Sequence, residues 1–361
     1  MIRDPGLASW LQLTLTPGLG SATLRGLLAE FGLPENVLAA SPARLARSLP
    51  ALVLHGLHSA EVAAAVERAL VWADGQDCAI VTLADAGYPR LLLETGDPPA
   101  LLYAQGRLDL LAKPALAIVG SRNATPQGER NAESFARAFS EAGLTIVSGL
   151  ALGIDAAAHR GGLAGAGSTI AVLGTAIDVV YPARNAALAD LIARDGLLLS
   201  EFPLGAKAVA HNFPRRNRVI SGLAQGCLVV EAALASGSLI TARAAAEQGR
   251  EVFAIPGSIH SPLSRGCHAL IRAGAKLVDS ADDVLSELSA FRRPAFASTQ
   301  ATHPAGRDDG LLAHMGFDPV DVDSLCARAR QSAETVSAEL LRLELAGRVA
   351  VLPGGLYQRL D

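Results

Sequence analysis

The sequence predicts an α/β protein: a Rossmann-like, doubly wound, mostly parallel sheet with an N-terminal helical domain and a C-terminal winged-helix-like domain. Three observations predict it. Between residues 115 and 288, short apolar runs rich in Val, Ile and Leu alternate with Ala-rich helical stretches. Strands that are apolar throughout belong in a parallel sheet covered on both faces, and right-handed crossovers wind the helices onto it. Before residue 75 the pattern is short amphipathic helices broken by Gly and Pro, and beyond 310 it is two helices and a hairpin.

Residues 1–75 are expected to form the helical domain. Within them Thr16-Pro17-Gly18-Leu19-Gly20-Ser21 leads into a helical stretch at 22–31. A Gly-apolar-Gly turn between helices has the shape of a helix-hairpin-helix, whose amides can approach a DNA phosphate. It is also the shape of a plain interhelical turn, the commoner case, and only Arg25 is a nearby cation.

The Rossmann-like domain is expected over 76–288, with strands at 115–120, 144–148, 169–174, 197–200, 227–231 and 251–256 and helices such as 132–142 and 239–248. Residues 289–310 mix Pro, Ser, Thr, Gly and charge without apolar periodicity and read as a linker. From 311 to 361, helices at 322–329 and 333–346 precede a hairpin at 348–352 and 356–359, turned by Pro353-Gly354-Gly355. That order is a winged helix.

Composition narrows the function classes. The 361 residues are 50% hydrophobic with a net charge of −4, so nucleic-acid binding would need a local basic patch. Cys78, Cys227, Cys267 and Cys326 are scattered with no CxxC pair, which argues against a zinc or redox site and for reduced thiols in the cytoplasm. The N-terminus lacks the apolar core of a signal peptide, and no apolar run approaches the roughly 20 residues of a membrane span. A cytoplasmic protein with no membrane role is expected.

In a doubly wound sheet, ligands bind beyond the carboxyl ends of the strands. There the chain places Gly120-Ser121-Arg122-Asn123, then Ser148-Gly149-Leu150-Ala151-Leu152-Gly153-Ile154-Asp155. Further on come Phe213-Pro214-Arg215-Arg216-Asn217-Arg218 and Ser236-Gly237-Ser238-Leu239-Ile240-Thr241. Small-residue turns that open helices present backbone N–H groups and the positive end of the helix dipole to anions. Arg122, Arg215, Arg216 and Arg218 add guanidinium forks, and no acidic residue lies between 215 and 225 to neutralise them. Gly can equally serve tight turns and Arg can form ion pairs, but several such loops on one rim point to phosphate. Phe213, beside three arginines, is either a stacking platform for a base or a core anchor.

Other chemistries fit less well. The first of these strands is not followed by G-x-G-x-x-G, which weighs against a dinucleotide cofactor, and no G-x-x-x-x-G-K-[ST] occurs. Asp155 and His159 share a helix face and could form an acid–base pair, although a helix-start carboxylate beside a packed His is commoner. No cofactor and no catalytic residue is expected.

These motifs together resemble the DNA-processing protein A (DprA/Smf) family. The resemblance is carried by Ala117-Ile118-Val119-Gly120-Ser121-Arg122, the run 148–156, the run 213–223, Glu231-Ala232 with residues 236–242, and Ala254-Ile255-Pro256-Gly257. Tyr88-Pro89, Asp97-Pro98-Pro99, Tyr103 and Gly106 resemble the segment that leads into the family's Rossmann domain. The match is strong over 88–285. It implies a homodimer, not an enzyme, that binds single-stranded DNA, protects it during natural transformation (competence) and helps load the RecA recombinase. By motif position it implies DNA contacts at Gly120, Ser121, Arg122, Phe213, Arg216, Asn217, Arg218, Gly237 and Ser238. Two departures stand out. His268 occupies a place where the family often carries Asn, which would alter an amide hydrogen bond. The second winged helix carries Glu334, Glu339 and Glu344 against Arg342, the reverse of what a duplex-reading helix needs. An alternative is a nucleotide-binding Rossmann enzyme of phosphoribohydrolase type, with Glu231 as acid or base.

Overall fold

The computed structural model of the protein describes residues 5–288 and 310–360. The expected linker, residues 289–310, lies outside the described residues except for Gly310.

Six helices open the chain: α1 (Pro5–Leu15), α2 (Ser21–Phe31), α3 (Pro34–Ala39), α4 (Pro42–Leu45), α5 (Ala51–Gly56) and α6 (Ala60–Ala73). The α1–α2 turn bends at Gly18, φ +81°, and Arg25 is drawn away from it into an ion pair with Asp97. Leu13, Leu24, Leu27, Val37 and Val53 build a cluster belonging to these helices. They also dock on the sheet that follows. Leu11, Ala69 and Leu70 pack with Leu101, Tyr103, Leu173 and Leu198, and Trp72 meets Tyr103 edge-on at 5.5 Å.

The central part contains, in chain order, β1 (Cys78–Thr82), α7 (Arg90–Leu93), β2 (Leu101–Gly106), β3 (Ala115–Val119), α8 (Pro126–Glu141) and β4 (Thr145–Ser148). It continues with α9 (Ile154–Leu163), β5 (Thr169–Val172), α10 (Ala186–Asp195), β6 (Leu197–Ser200), α11 (Asn212–Leu223) and β7 (Gly226–Val229). It ends with α12 (Ser238–Glu247), β8 (Glu251–Ala254), α13 (Arg265–Arg272), β9 (Lys276–Leu277) and α14 (Ala281–Glu287).

The nine strands form one sheet in the order β1-β2-β6-β5-β4-β3-β7-β8-β9. Strands β3 to β9 run parallel. The edge pair β1–β2 is antiparallel, and β2 joins β6 antiparallel. The expected strands are all present. The edge pair and β9 are additions to them. Alternate residues of β3 face opposite layers. Ala115, Ala117 and Val119 pack with Val219, Ile220 and Leu223 of α11 and Leu239 and Ala242 of α12. Leu116 and Ile118 pack with Ala132, Ala136 and Phe139 of α8 and Ile154 and Ala157 of α9. Burial of both faces explains why the strand is apolar throughout.

From β3 the chain steps outward through β4, β5 and β6, returns to the other flank of β3 at β7, then steps outward to β8 and β9. The loops after β3 and β7 therefore leave in opposite directions, and a crevice opens between them.

The C-terminal part contains α15 (Leu312–Met315), β10 (Val320–Asp321), α16 (Val322–Ala329), α17 (Ala333–Leu345), β11 (Val349–Leu352) and β12 (Leu356–Arg359). Its three strands pair as β10-β12-β11. Asp321 caps α16 by accepting the Ser324 N–H at 2.7 Å, and Ser332 caps α17 at the Thr335 N–H. Leu312, Leu325, Val336, Leu340 and Leu343 form its core. This is a winged helix, with helices and hairpin where the sequence places them. Among the described residues, no helix is long and apolar enough to cross a membrane.

Candidate functional site

The crevice between β3 and β7 widens into a cavity of about 680 Å³, within the size range of ligand sites. Four segments supply most of its lining: 119–123 at the end of β3, Ala151 and Asp155 where β4 leads into α9, one face of α11, and 233–241 where β7 gives way to α12. Gly120, Ser121, Arg122, Phe213, Arg216, Asn217, Gly237 and Ser238 are thereby brought together. Arg218 is not among the lining residues.

The reason is helical geometry. The run Phe213-Pro214-Arg215-Arg216-Asn217-Arg218 forms the first turns of α11, so its arginines point in different directions. Phe213, Arg216, Asn217 and Ile220 face the cavity. Arg215 and Arg218, three apart on another face, reach Glu201. Arg218 also meets Asp97, with Nε 3.2 Å from a carboxylate oxygen, and donates to the Asp97 carbonyl. The expectation that nothing neutralises this arginine cluster is therefore corrected, because acids distant in sequence supply the neutralising charge. Burial pushes the Glu201 carboxyl up, against the pull of Arg218 and Arg215.

Arg216 is a structural cation beneath the cavity. It is buried, and its guanidinium donates to the carbonyls of Gly149 and Val172, tying together the ends of β4 and β5. Burial brings its pKa down to about 10, with Asp155 opposing, so it stays charged at neutral pH. Asp155 accepts the amides of Gly149 at 3.1 Å and Ala151 at 3.4 Å, while burial raises its own carboxyl. His159 is fully buried. Its Nε2 accepts the Leu150 N–H at 3.2 Å, and its Nδ1 lies 2.7 Å from Thr169 Oγ1. Desolvation holds this imidazole neutral, with a pKa of about 3. Asp155 and His159 thus each hold the 149–151 loop, the commoner of the two arrangements anticipated.

The small residues play distinct roles. A Cβ on Gly120 would sit 2.6 Å from Ile154 Cγ1, so close packing demands glycine there. The Ser121 amide is occupied by the Glu231 carbonyl at 2.7 Å, and its hydroxyl accepts the Asn123 N–H at 3.1 Å. Gly237 differs. It caps α12 with an ordinary φ of −62°, a Cβ there would meet nothing within 4 Å, and its amide donates to no protein group among the described residues. The hydroxyls of Ser236 and Ser238 lie 2.7 Å apart beside it. A free amide, two hydroxyls and a helix N-terminus make an anion cradle. Ser236 is an addition to the expected residues, signalled by the Ser-Gly-Ser run itself.

Arg122 lies across the cavity, exposed and with no acidic partner among the described residues. Its guanidinium carbon is 5.5 Å from the Phe213 ring centre. Phe213 is half-buried and rests on Gly174, where a Cβ would come within 2.8 Å of the ring. Glu231 does not line the cavity. Its carboxylate accepts the Thr125 N–H at 2.9 Å and hydroxyl at 2.6 Å. At the departure noted at His268, the imidazole Nε2 accepts the Gly257 N–H at 3.3 Å. Among the described residues, no group of three or more His, Cys, Asp or Glu side chains is placed to hold a metal.

Residues 79–289 match the family model for DNA recombination-mediator protein A, and residues 295–355 match the DprA winged helix domain. The chain is 44% identical to Protein Smf of Escherichia coli (strain K12) over 82% of its own length and 81% of that protein's. It is 52% identical to the DNA processing protein DprA of Streptococcus pneumoniae over 57% of its length and 73% of the relative's. The X-ray structure of DprA from Streptococcus pneumoniae superposes with a TM-score of 0.69 at 40% identity, covering 79% of this chain and 98% of that one. A Helicobacter pylori DNA processing protein A, solved for its single-stranded DNA binding mode, gives a TM-score of 0.52 at 30% identity over 57% and 93% of the two chains.

Proposed function

Because the chain belongs to the DNA recombination-mediator protein A family, we propose that the cavity at its β3–β7 switch point binds single-stranded DNA without chemical turnover. The observation that carries this reading is that the anion cradle at Gly237 shares one cavity with Arg122 and Phe213, the guanidinium standing over the ring. One wall offers donors for a phosphate, the other a cation and an aromatic ring for the adjoining nucleotide. Arg216 and Asp155 lie beneath, and Arg122 is the exposed cation of the lining, in no ion pair among the described residues.

The wider role follows from the family. The protein acts as a recombination mediator in the cytoplasm, as a homodimer, protecting incoming single strands during natural transformation and helping to load RecA onto them. The phosphoribohydrolase alternative finds less support, since Glu231, its acid or base, is engaged by Thr125 away from the cavity.

The test is fluorescence anisotropy with labelled single-stranded and duplex oligonucleotides over a salt series. Tight, sequence-tolerant, salt-sensitive binding of the single strand is expected. Arg122→Ala should weaken it uniformly and reduce the salt slope by about 1. Absence of single-strand binding at low salt, or release of free base from a nucleoside monophosphate, would overturn the reading.

A further inference from the structure

We propose that Tyr181 is a second base-stacking surface, placed so that a strand leaving the cavity crosses Phe213 and then Tyr181. The proposal rests on the single-strand reading above and extends the site by a residue outside the cavity lining.

Tyr181 is 49% exposed, an unusual position for a large ring in a chain with only 4 tyrosines. No hydrogen bond among the described residues uses its hydroxyl. Neither burial nor a polar partner explains the ring's placement. Its centre lies 5.8 Å from that of Phe213, with the planes inclined at 49°, within the range of paired aromatic rings.

Phe213 itself is hemmed in. Gly174 supports it from below, and the guanidinium groups of Arg122 and Arg216 stand 5.5 and 6.0 Å from its centre. Tyr181 has the barer ring of the two. A base leaving the neighbourhood of Arg122 therefore meets a fixed ring and then an open one. Stacking is indifferent to base identity, because every base has a π-face, so the pair would extend the site without adding sequence preference. A single nucleotide held between Gly237 and Arg122 would leave Tyr181, which is outside the lining, unused. The ligand class that uses both features is an oligonucleotide single strand with splayed bases.

The experiment compares wild type, Tyr181→Ala, Tyr181→Phe and Arg122→Ala by anisotropy on a 20-nucleotide oligo-dT across a salt series. Wild type is also photocrosslinked to oligo-dT carrying one 5-iodouracil, with the attachment site mapped by mass spectrometry. Tyr181→Ala should lose roughly 5- to 100-fold in affinity with an unchanged salt slope, as expected for a lost stacking contact. Tyr181→Phe should bind like wild type, and crosslinks should map to Tyr181. If Tyr181→Ala binds as wild type does while Arg122→Ala is weakened, or if no crosslink reaches Tyr181, the proposal is overturned and the single-strand reading stands. If wild type itself fails to bind oligo-dT, that reading falls and takes this one with it.

Discussion

Residues of one type divide into structural and ligand-facing roles, and the division is testable. Gly149 has no room for a methyl group because the Arg216 guanidinium occupies the space, whereas at Gly237 that space is open. Gly237→Ala should therefore keep the wild-type melting temperature and lose about tenfold or more in single-strand affinity, because the added methyl stands where the phosphate approaches. Gly149→Ala should instead lower the melting temperature. The arginines divide the same way. Arg218→Ala leaves the buried Glu201 carboxylate short of its partner and should cost about 3 kcal/mol of stability. Its effect carries a pH signature. Burial already raises the Glu201 pKa, and losing Arg218 raises it further. The folded state then binds a proton that the unfolded state releases, so the destabilisation should be larger at pH 8 than at pH 5 in urea titrations. Arg122→Ala should lower the salt slope and leave stability unchanged. The sequence presented Arg122 and Arg218 as equivalents. They are distinguished by Asp97 and Glu201, whose approach to α11 depends on tertiary structure that no local pattern records.

At the scale of elements, the parallel strands were legible because burial on both faces makes each an unbroken apolar run between helical stretches. The edge pair was not. Residues 78–82 and 101–106 are separated by a Pro-rich segment with only the short α7, and their antiparallel pairing has no crossover helix to announce it. The residues of the site were likewise legible as motifs, but α11 sorts them into two faces, and this followed only once residues 213–218 proved helical. The loop between β4 and α9 shows what supports the cavity floor. His159, buried and neutral, accepts the Leu150 amide. Its folded pKa of about 3 lies below the ordinary 6.5, so its contribution is full above pH 6.5 and is lost as pH falls from 6.5 toward 3. A single such group adds at most about 1.4 kcal/mol per pH unit. His159→Gln, which cannot titrate, should show a shallower fall in unfolding free energy between pH 6.5 and 4. An unchanged slope would mean that other groups govern acid sensitivity.

The whole molecule distributes stability and binding unequally over its parts. The N-terminal helices share core with the sheet through Leu11, Ala69, Leu70 and Trp72. Deleting residues 1–76 would uncover Tyr103, Leu173 and Leu198, so an insoluble or molten product is expected. The winged helix has its own core at Leu312, Leu325, Val336, Leu340 and Leu343, and its role is constrained by charge. On α17, Glu334 and Glu344 are exposed, and Arg342, the helix's only cation, is tied to Glu339 at 2.6 Å. Such a surface repels phosphate, and counterion release cannot drive its binding to duplex DNA. A chain ending at residue 288 should therefore retain the single-strand affinity and salt slope of the full protein. Residues 310–361 alone should fold cooperatively, as followed by circular dichroism, and bind no duplex at 50 mM salt. Duplex binding by that fragment would place a nucleic-acid contact on the wing and not on α17. Equal binding by the shortened and full chains would instead confine DNA recognition to the β3–β7 crevice and leave α17, with its exposed Leu341 and Leu345, to some role other than DNA contact.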